Sequence, residues 1–533
     1  MERIEAGVLV AGGGVAGLMA AVRARMAGAR VVVLGGSPGA SNRISSLNAA
    51  LDESPQDEPA ALFDDTLCAG GFVNDPRIVA QMTRRIADEI HFLRGLGVPF
   101  HHDGVRFARR QAAGSSWTRA VFSLGMIGVD IARALRTQLR ATGPPVTFLD
   151  HGVLVELLLG DDGIAGGLAY LPADERWVEI AAPSVVLATG GAGQVFGATT
   201  NPPGSLGVGY LAALEAGAAL VDMEFVSFEP FIAAAPAKIR GRDLPTTVLR
   251  EGARLRNGRG EEFIDTERAP SKDVICRAMV REVQEGRGTP AGAVFYDIRD
   301  MDPQIVGRYV QISQVLAALG TSSPDALIEV MPAQHYLMGG VRVDESGASA
   351  VRGLFAVGEV AGGAHGAHRL AANGGTEAVA MGAIAGESAA EHGRAGNGHR
   401  ARASAPEPDL LPLRRDPAQQ ALLARIRLAL DTGCGIVRAG EQLHAAVETL
   451  DRVVDELRSA RQLRTHAGRC AQLALTIAHS ALLRTESRGD HFRTDYPARD
   501  DVEWLGNIVT TLAPGGDALE FTHERAGLVR RKA

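Results

Sequence analysis

Val10-Ala11-Gly12-Gly13-Gly14-Val15-Ala16-Gly17 stands near the start of the chain, and its reading decides the fold. The apolar run Gly7 to Val10 in front of it is expected to be a buried strand. Leu18 to Gly28 reads as a helix, and Ala29 to Leu34 as a second strand. A GxGxxG pattern is weak alone but specific between a strand and a helix. Gly12 permits the tight turn, Gly14 lets the backbone approach a pyrophosphate, and Gly17, after Ala16, allows close helix–strand packing. The phosphate then sits on the helix N-terminus. No carboxylate follows the second strand to hold a ribose, because Leu34 leads into Gly35-Gly36-Ser37. Ribose contacts are therefore assigned to the backbone around Gly35 and to Ser37.

Working outward, 533 residues with 46% hydrophobic content predict more than one domain. The 64 glycines cluster in apolar stretches, which favours backbone turns around a ligand over low-complexity disorder. A formal charge of -7 without a Lys/Arg block excludes the electrostatic footprint of a nucleic-acid or anionic-membrane binder. No apolar run is long enough for a bilayer span and Met1 to Glu5 carries no basic leader, so the expected location is the cytoplasm. Cys68, Cys276, Cys434 and Cys470 form no CxxC, so neither a disulfide framework nor a metal site is expected. Redox chemistry would have to come from a bound cofactor. Further α/β blocks read at Pro183 to Gly191 and Gly353 to Gly358. Between them a charged, helix-patterned insert includes a helix at Ser271 to Glu285 and a strand at Ala293 to Ile298. Arg394 to Asp416 has linker composition, and helices follow at Pro417 to Leu430, Ala439 to Ala460 and His466 to Leu483.

Six separated segments carry a family resemblance. They are Ser184-Val-Val-Leu-Ala-Thr-Gly-Gly191, Thr199-Thr200-Asn201-Pro202, Pro332-Ala-Gln-His335-Tyr336-Leu-Met-Gly-Gly340, Gly353-Leu-Phe-Ala-Val-Gly358-Glu359, His365-Gly-Ala-His-Arg369-Leu370 and Glu486-Ser-Arg-Gly-Asp-His491. In this order they resemble the succinate dehydrogenase, fumarate reductase and L-aspartate oxidase flavoproteins through nearly the whole chain. The resemblance implies an α/β fold with a Rossmann-like FAD-binding domain at 1–230 and 331–393, interrupted by an α+β capping domain at 231–330. A linker at 394–416 and a helical C-terminal domain and tail at 417–533 complete it, with the active site between cap and flavin domain. FAD is the implied cofactor, with contacts from Gly190, Gly191, Gly358, Asn373, Gly375, Ser45 and Ser46. Glu359 matches the glutamate that holds a FAD ribose, a role suited to a carboxylate because both hydroxyls of a diol can donate to it. His335 and Arg369 match the residues that bind a substrate carboxylate, where the planar Arg fork fits best.

The departures from the family pattern shape the expected chemistry. No histidine lies in Ser37 to Leu47, so FAD is expected to be non-covalent. Glu229, in Ser227-Phe228-Glu229-Pro230-Phe231, stands where the family has a histidine for a second carboxylate, and an anion there repels a dicarboxylate. Thr246-Thr247-Val248-Leu249-Arg250 keeps Thr246 as a substrate contact and Arg250 as a catalytic candidate but lacks the acidic relay residue. Lys272 replaces the catalytic arginine and reads as an acid or base. Val208 and Gly374 replace an aspartate and a serine of the flavin loops. The leading expectation is an FAD-dependent oxidoreductase oxidising an amine, amino acid or saturated acid by hydride transfer to flavin N5, with oxygen or another carrier as electron acceptor. The alternatives are an L-aspartate oxidase, a fumarate-reductase-like reductase, or a flavoprotein component of an electron-transfer complex. The helical C-terminal region offers a surface for a homo-oligomer.

Overall fold

The computed structural model describes residues 1–36, 39–51, 57–141, 143–265, 271–322, 327–395, 416–513 and 518–525. At its centre is an all-parallel five-stranded sheet in the order Leu354–Ala356, Ser184–Leu187, Val8–Ala11, Val31–Leu34, Val146–Leu149. The first four strands are short, apolar and fully buried, as a parallel sheet covered on both faces requires. The first helix spans Val15–Met26, three residues earlier than the apolar pattern suggests, because Gly14 caps it and the Ser41 hydroxyl accepts the Val15 N–H at 2.9 Å. It stops before the predicted end, with Gly28 at φ +90° and the Ala29 N–H returning to Ala24 O at 3.1 Å. This helix lies against Asn373–Ala395 so closely that a Cβ on Gly386 would sit 2.3 Å from Ala20 O.

Two long antiparallel strands, Val226–Ala235 and Leu327–Leu337, run out of this body into a second sheet with Val294–Asp297 and Arg254–Arg256. That sheet and the helices Lys272–Gln284 and Val310–Leu319 enclose a separate core including Phe231, Leu255, Ile275, Tyr296, Ile312 and Ile328. The sequence divisions at 230/231 and 330/331 therefore fall inside continuous strands, whose pairing carries no compositional mark. Helices Pro417–Gly433, Gly440–Ser459 and His466–Leu483 pack together beyond the linker. Of that linker, 396–415 lies outside the described residues. The segment expected as a tail instead forms a hairpin, Gly506–Leu512 with Leu519–Arg525, added to Leu220–Val221 and Gly340–Val341 in one four-stranded sheet. Among the described residues, no helix is long and apolar enough to cross a membrane and no cluster of three or more His, Cys, Asp or Glu could hold a metal.

Candidate active site

The glycines of the opening motif are demanded by the backbone around them. Gly12 has φ +132°, and a Cβ there would lie 2.0 Å from Ala188 O. The same atom on Gly13 would lie 2.2 Å from Gly35 O, and on Gly17 2.0 Å from Gly12 O. Strand ends and helix N-terminus thus converge into a side-chain-free cradle at the carboxyl edge of the parallel sheet, where α/β folds bind nucleotides. Gly14 is extended at φ -75°, ψ -179°. Ala16 faces Gly358, which has φ +71°. Gly35 turns at φ +97° with its N–H on Leu149 O, and Gly190 turns at φ +74° with open space beside it. Ser45 is exposed and Ser46 begins the strand Ser46–Asn48, whereas Ser37 lies outside the described residues.

Two buried carboxyls bracket Gly358. Glu359 accepts the Leu337 N–H at 3.1 Å and closes on Gly191, while Glu377 accepts the Gly358 N–H at 2.9 Å and keeps its second oxygen unpartnered. Burial raises Glu359 to about 7 and Glu377 to about 8. Asn373 does not present its amide to the cleft. Its Oδ1 accepts from Asn48 Nδ2 at 2.8 Å and its Nδ2 donates to Thr66 Oγ1 at 2.9 Å. Gly375 lets the helix start press on the neighbouring strand, since a Cβ would meet Leu47 Cδ2 at 2.5 Å. The Asn373 N–H is engaged as well, donating to Leu370 O at 3.1 Å, so of these two residues Gly375 is the one whose backbone N–H at the helix N-terminus is placed for a flavin contact.

On the cap side, Glu229 and His335 lie on the two paired long strands. Lys272, first residue of its helix, places Nζ 2.5 Å from Glu229 Oε2, and His335 Nε2 is 3.9 Å from the same oxygen. The opposite ring nitrogen of His335 is 2.8 Å from Thr200 Oγ1, and Asn201 Nδ2 donates to His335 O at 2.8 Å. Those bonds give the Thr-Thr-Asn-Pro segment its structural purpose. Burial, with the fields of Lys272, Arg369 and Arg43, holds His335 well below the ordinary histidine range, so its ring is neutral. Arg369 lies over the Tyr336 ring at 4.7 Å, with Nε buried and unpartnered and Nη1 only 3.4 Å from Leu370 O. Thr246, half-buried, and Arg250, exposed, occupy the 3-10 turn Thr246–Glu251, which shows no hydrogen bond to Glu229, Lys272, His335 or Arg369 among the described residues.

Sequence reasoning missed Ser41, Arg43 and His365. Ser41 is signalled only by its place in a Ser/Asn run. Arg43 pairs with Asp243 across the two cores at 3.1 Å, and His365 is buried with both ring nitrogens unpartnered, pushed by burial to about 3. A glycine-walled cradle, Ser41 at the helix start, and orphaned polar atoms on Glu377, His365, Arg369 and Thr189 together fit an elongated dinucleotide with a polar ring system.

Residues 7–374 match the FAD binding domain family and residues 424–528 match the fumarate reductase flavoprotein C-terminal family. The chain belongs to this family of FAD-dependent oxidoreductases, and its cofactor is FAD. Among its relatives, L-aspartate oxidase of Agrobacterium fabrum is 36% identical over 503 residues, covering 92% of this chain and 91% of the relative. A CoM/CoB fumarate reductase chain of Methanothermobacter marburgensis is 30% identical over 476 residues, covering 85% of this chain and 86% of the relative. A quinol fumarate reductase structure from E. coli superposes with a TM-score of 0.87 at 25% identity, covering 100% of this chain and 99% of that one.

Proposed function

We propose that the chain binds FAD non-covalently and oxidises a small substrate bearing one carboxylate, an amino acid or a saturated acid. The observation that carries this reading is the contact of Lys272 with Glu229. Of the three cations whose fields reach His335, Lys272 is paired with Glu229 and Arg43 with Asp243. Arg369 alone has no carboxylate partner among the described residues. One uncompensated guanidinium matches one carboxylate, which it grips with parallel N–H donors. A second carboxylate would find no uncompensated cation, because Lys272 and Arg43 are already paired with carboxylates of the chain.

FAD, when bound, supplies the two-electron acceptor. The chain supplies orientation and proton handling. With the Thr200 hydroxyl donating to Nδ1, the neutral His335 ring carries its proton on Nε2 and offers that N–H to the carboxylate gripped by Arg369. Glu229 Oε2, held by Lys272 Nζ, is the group that takes up the proton the substrate releases. The electron acceptor is oxygen or another carrier.

The first test is the visible spectrum before and after acid precipitation, followed by anaerobic mixing of the oxidised protein with amino acids, saturated monocarboxylates and dicarboxylates. Flavin released into the supernatant and bleached by a single-carboxylate class is the expected result. Colour retained in the pellet overturns non-covalent binding. Bleaching by aspartate or succinate overturns the charge argument, and aspartate in particular would favour the activity named for the Agrobacterium fabrum relative. If no compound bleaches the loaded protein, the oxidative direction is wrong.

A further inference from the structure

The loop that carries Arg369 is clamped from outside the site. Asp490 donates its N–H to Ala367 O at 3.0 Å, and its Oδ2 lies 2.9 Å from His368 Nδ1. The preceding Gly489 has φ +55°, and a Cβ on it would strike Ala367 O at 2.2 Å, so the two backbones are in direct contact. Buried Arg488 donates to Gly71 O at 2.6 Å and is held by both oxygens of Glu486, while Ala367 donates to Gly70 O at 2.9 Å. The turn following the C-terminal helices is thereby locked onto Ala367-His368-Arg369. His368 faces Asp490 from that turn, Asp273 from the Lys272–Gln284 helix and Arg369 beside it. Asp273 is itself bound to Ser271 and, at 2.8 Å, to Arg277. Three distant stretches of chain meet at this one imidazole.

We propose that His368 is a positioning residue, bridged to Asp490 so that it sets the backbone from which Arg369 reaches the substrate carboxylate, and that its proton governs how tightly that carboxylate is held. This rests on the reading of Arg369 as the carboxylate clamp. Asp490 first, and Asp273 with it, favour the charged imidazole and lift its titration above the ordinary histidine value of 6.5. Below that titration the bridge is an ion pair and the region beside Arg369 carries one more positive charge. Above it the imidazole is neutral, the carboxylate of Asp490 is uncompensated, and a bound anion is held less tightly. Because His368 is 31% exposed at its side chain, the effect is modest, about five-fold in affinity.

The experiment uses the full-length FAD-loaded protein and propionate as ligand, with Kd read from the perturbed flavin spectrum between pH 5.5 and 9. The expected result is a rise in Kd of about five-fold through a break above 6.5. Asp490→Asn should move the break down, Asp490→Glu should restore it, and His368→Asn should abolish the part of the rise that Asp490→Asn moves, all with unchanged flavin content. Identical curves in the parent and in Asp490→Asn overturn the proposal. Failure of propionate to perturb the parent at any pH overturns the carboxylate reading and the ligand half of this one. The bridge is then judged separately by 13C-histidine NMR, where a His368 midpoint unmoved by Asp490→Asn overturns it.

Discussion

At the residue scale, Glu377 shows how a buried acid is put to use. It sits near the N-terminus of a helix and accepts the Gly358 N–H, yet burial lifts its carboxyl to about 8, and Glu359 beside it to about 7. Both ordinarily titrate at 4.5, so between that value and about 8 the folded chain holds more protons than the unfolded one. Stability then falls as pH rises through this window. Thermal melting of flavin-free protein from pH 4.5 to pH 8 should show that decline, and Glu377→Gln should flatten it while leaving the Gly358 N–H an acceptor. A slope unchanged by the substitution would show that Glu377 ionises normally. Glu359 was legible as a candidate flavin contact from its place in a motif. Glu377 was not, because nothing local distinguishes a carboxylate that turns inward from one that faces water.

At the scale of elements, the strand–turn–helix unit is the part most completely readable in advance, since its apolar strand, glycine turn and helix follow one another within a few residues, although the backbones that demand Gly12 and Gly13 come from Ala188 and Gly35. Gly12 combines a left-handed φ with a backbone oxygen 2.0 Å from the missing Cβ, so relaxation would have to move a strand of the central sheet. Gly12→Ala is expected to cost more than the about 1–3 kcal/mol of left-handed strain alone. Purified variant protein should show a sharply reduced ratio of flavin to protein absorbance; a normal ratio would contradict the cradle. Lys272 was legible as a candidate from the family pattern, and its position at a helix start, unfavourable for a cation, agrees with a purpose beyond helix stability. Its partner was not legible, because Glu229 lies 43 residues away on a strand whose register decides which side chains reach the helix end.

At the scale of the whole molecule, a buried arginine joins regions distant in sequence. Arg484, fully buried, bonds Glu224 Oε1 at 2.7 Å, Glu486 Oε1 at 2.8 Å, and the carbonyls of Trp504 and Gly506. Glu224 closely precedes the long strand that leads to Glu229, so this node ties the C-terminal segment to the base of the site. Arg484→Met would strand the buried Glu224 carboxylate, while Glu486 keeps Arg488, and loss of one partner from such a network typically costs about 3–5 kcal/mol. Denaturant unfolding should register a loss of that order, whereas a change below about 1 kcal/mol would mean that Glu224 is neutral in the folded chain. The hairpin at 506–525 has the same joining role through its pairing with Leu220–Val221, which a compositional reading of the C-terminal region as helical did not anticipate.

By itself the sequence determined the dinucleotide cradle, the buried parallel strands, the long helices and, through the order of its motifs, the family and its flavin. These rest on backbone freedom and hydrophobic period, which act over a few residues and leave their mark in every short window. Only the tertiary structure decided that Glu229 and Lys272 neutralise each other, that Arg43 is held by Asp243, that Asn373 turns away from the cleft, and that Asp490 reaches His368. Charges act on whatever the fold brings within a few ångströms, so the balance of a site belongs to the packing of distant segments and is written in none of them alone.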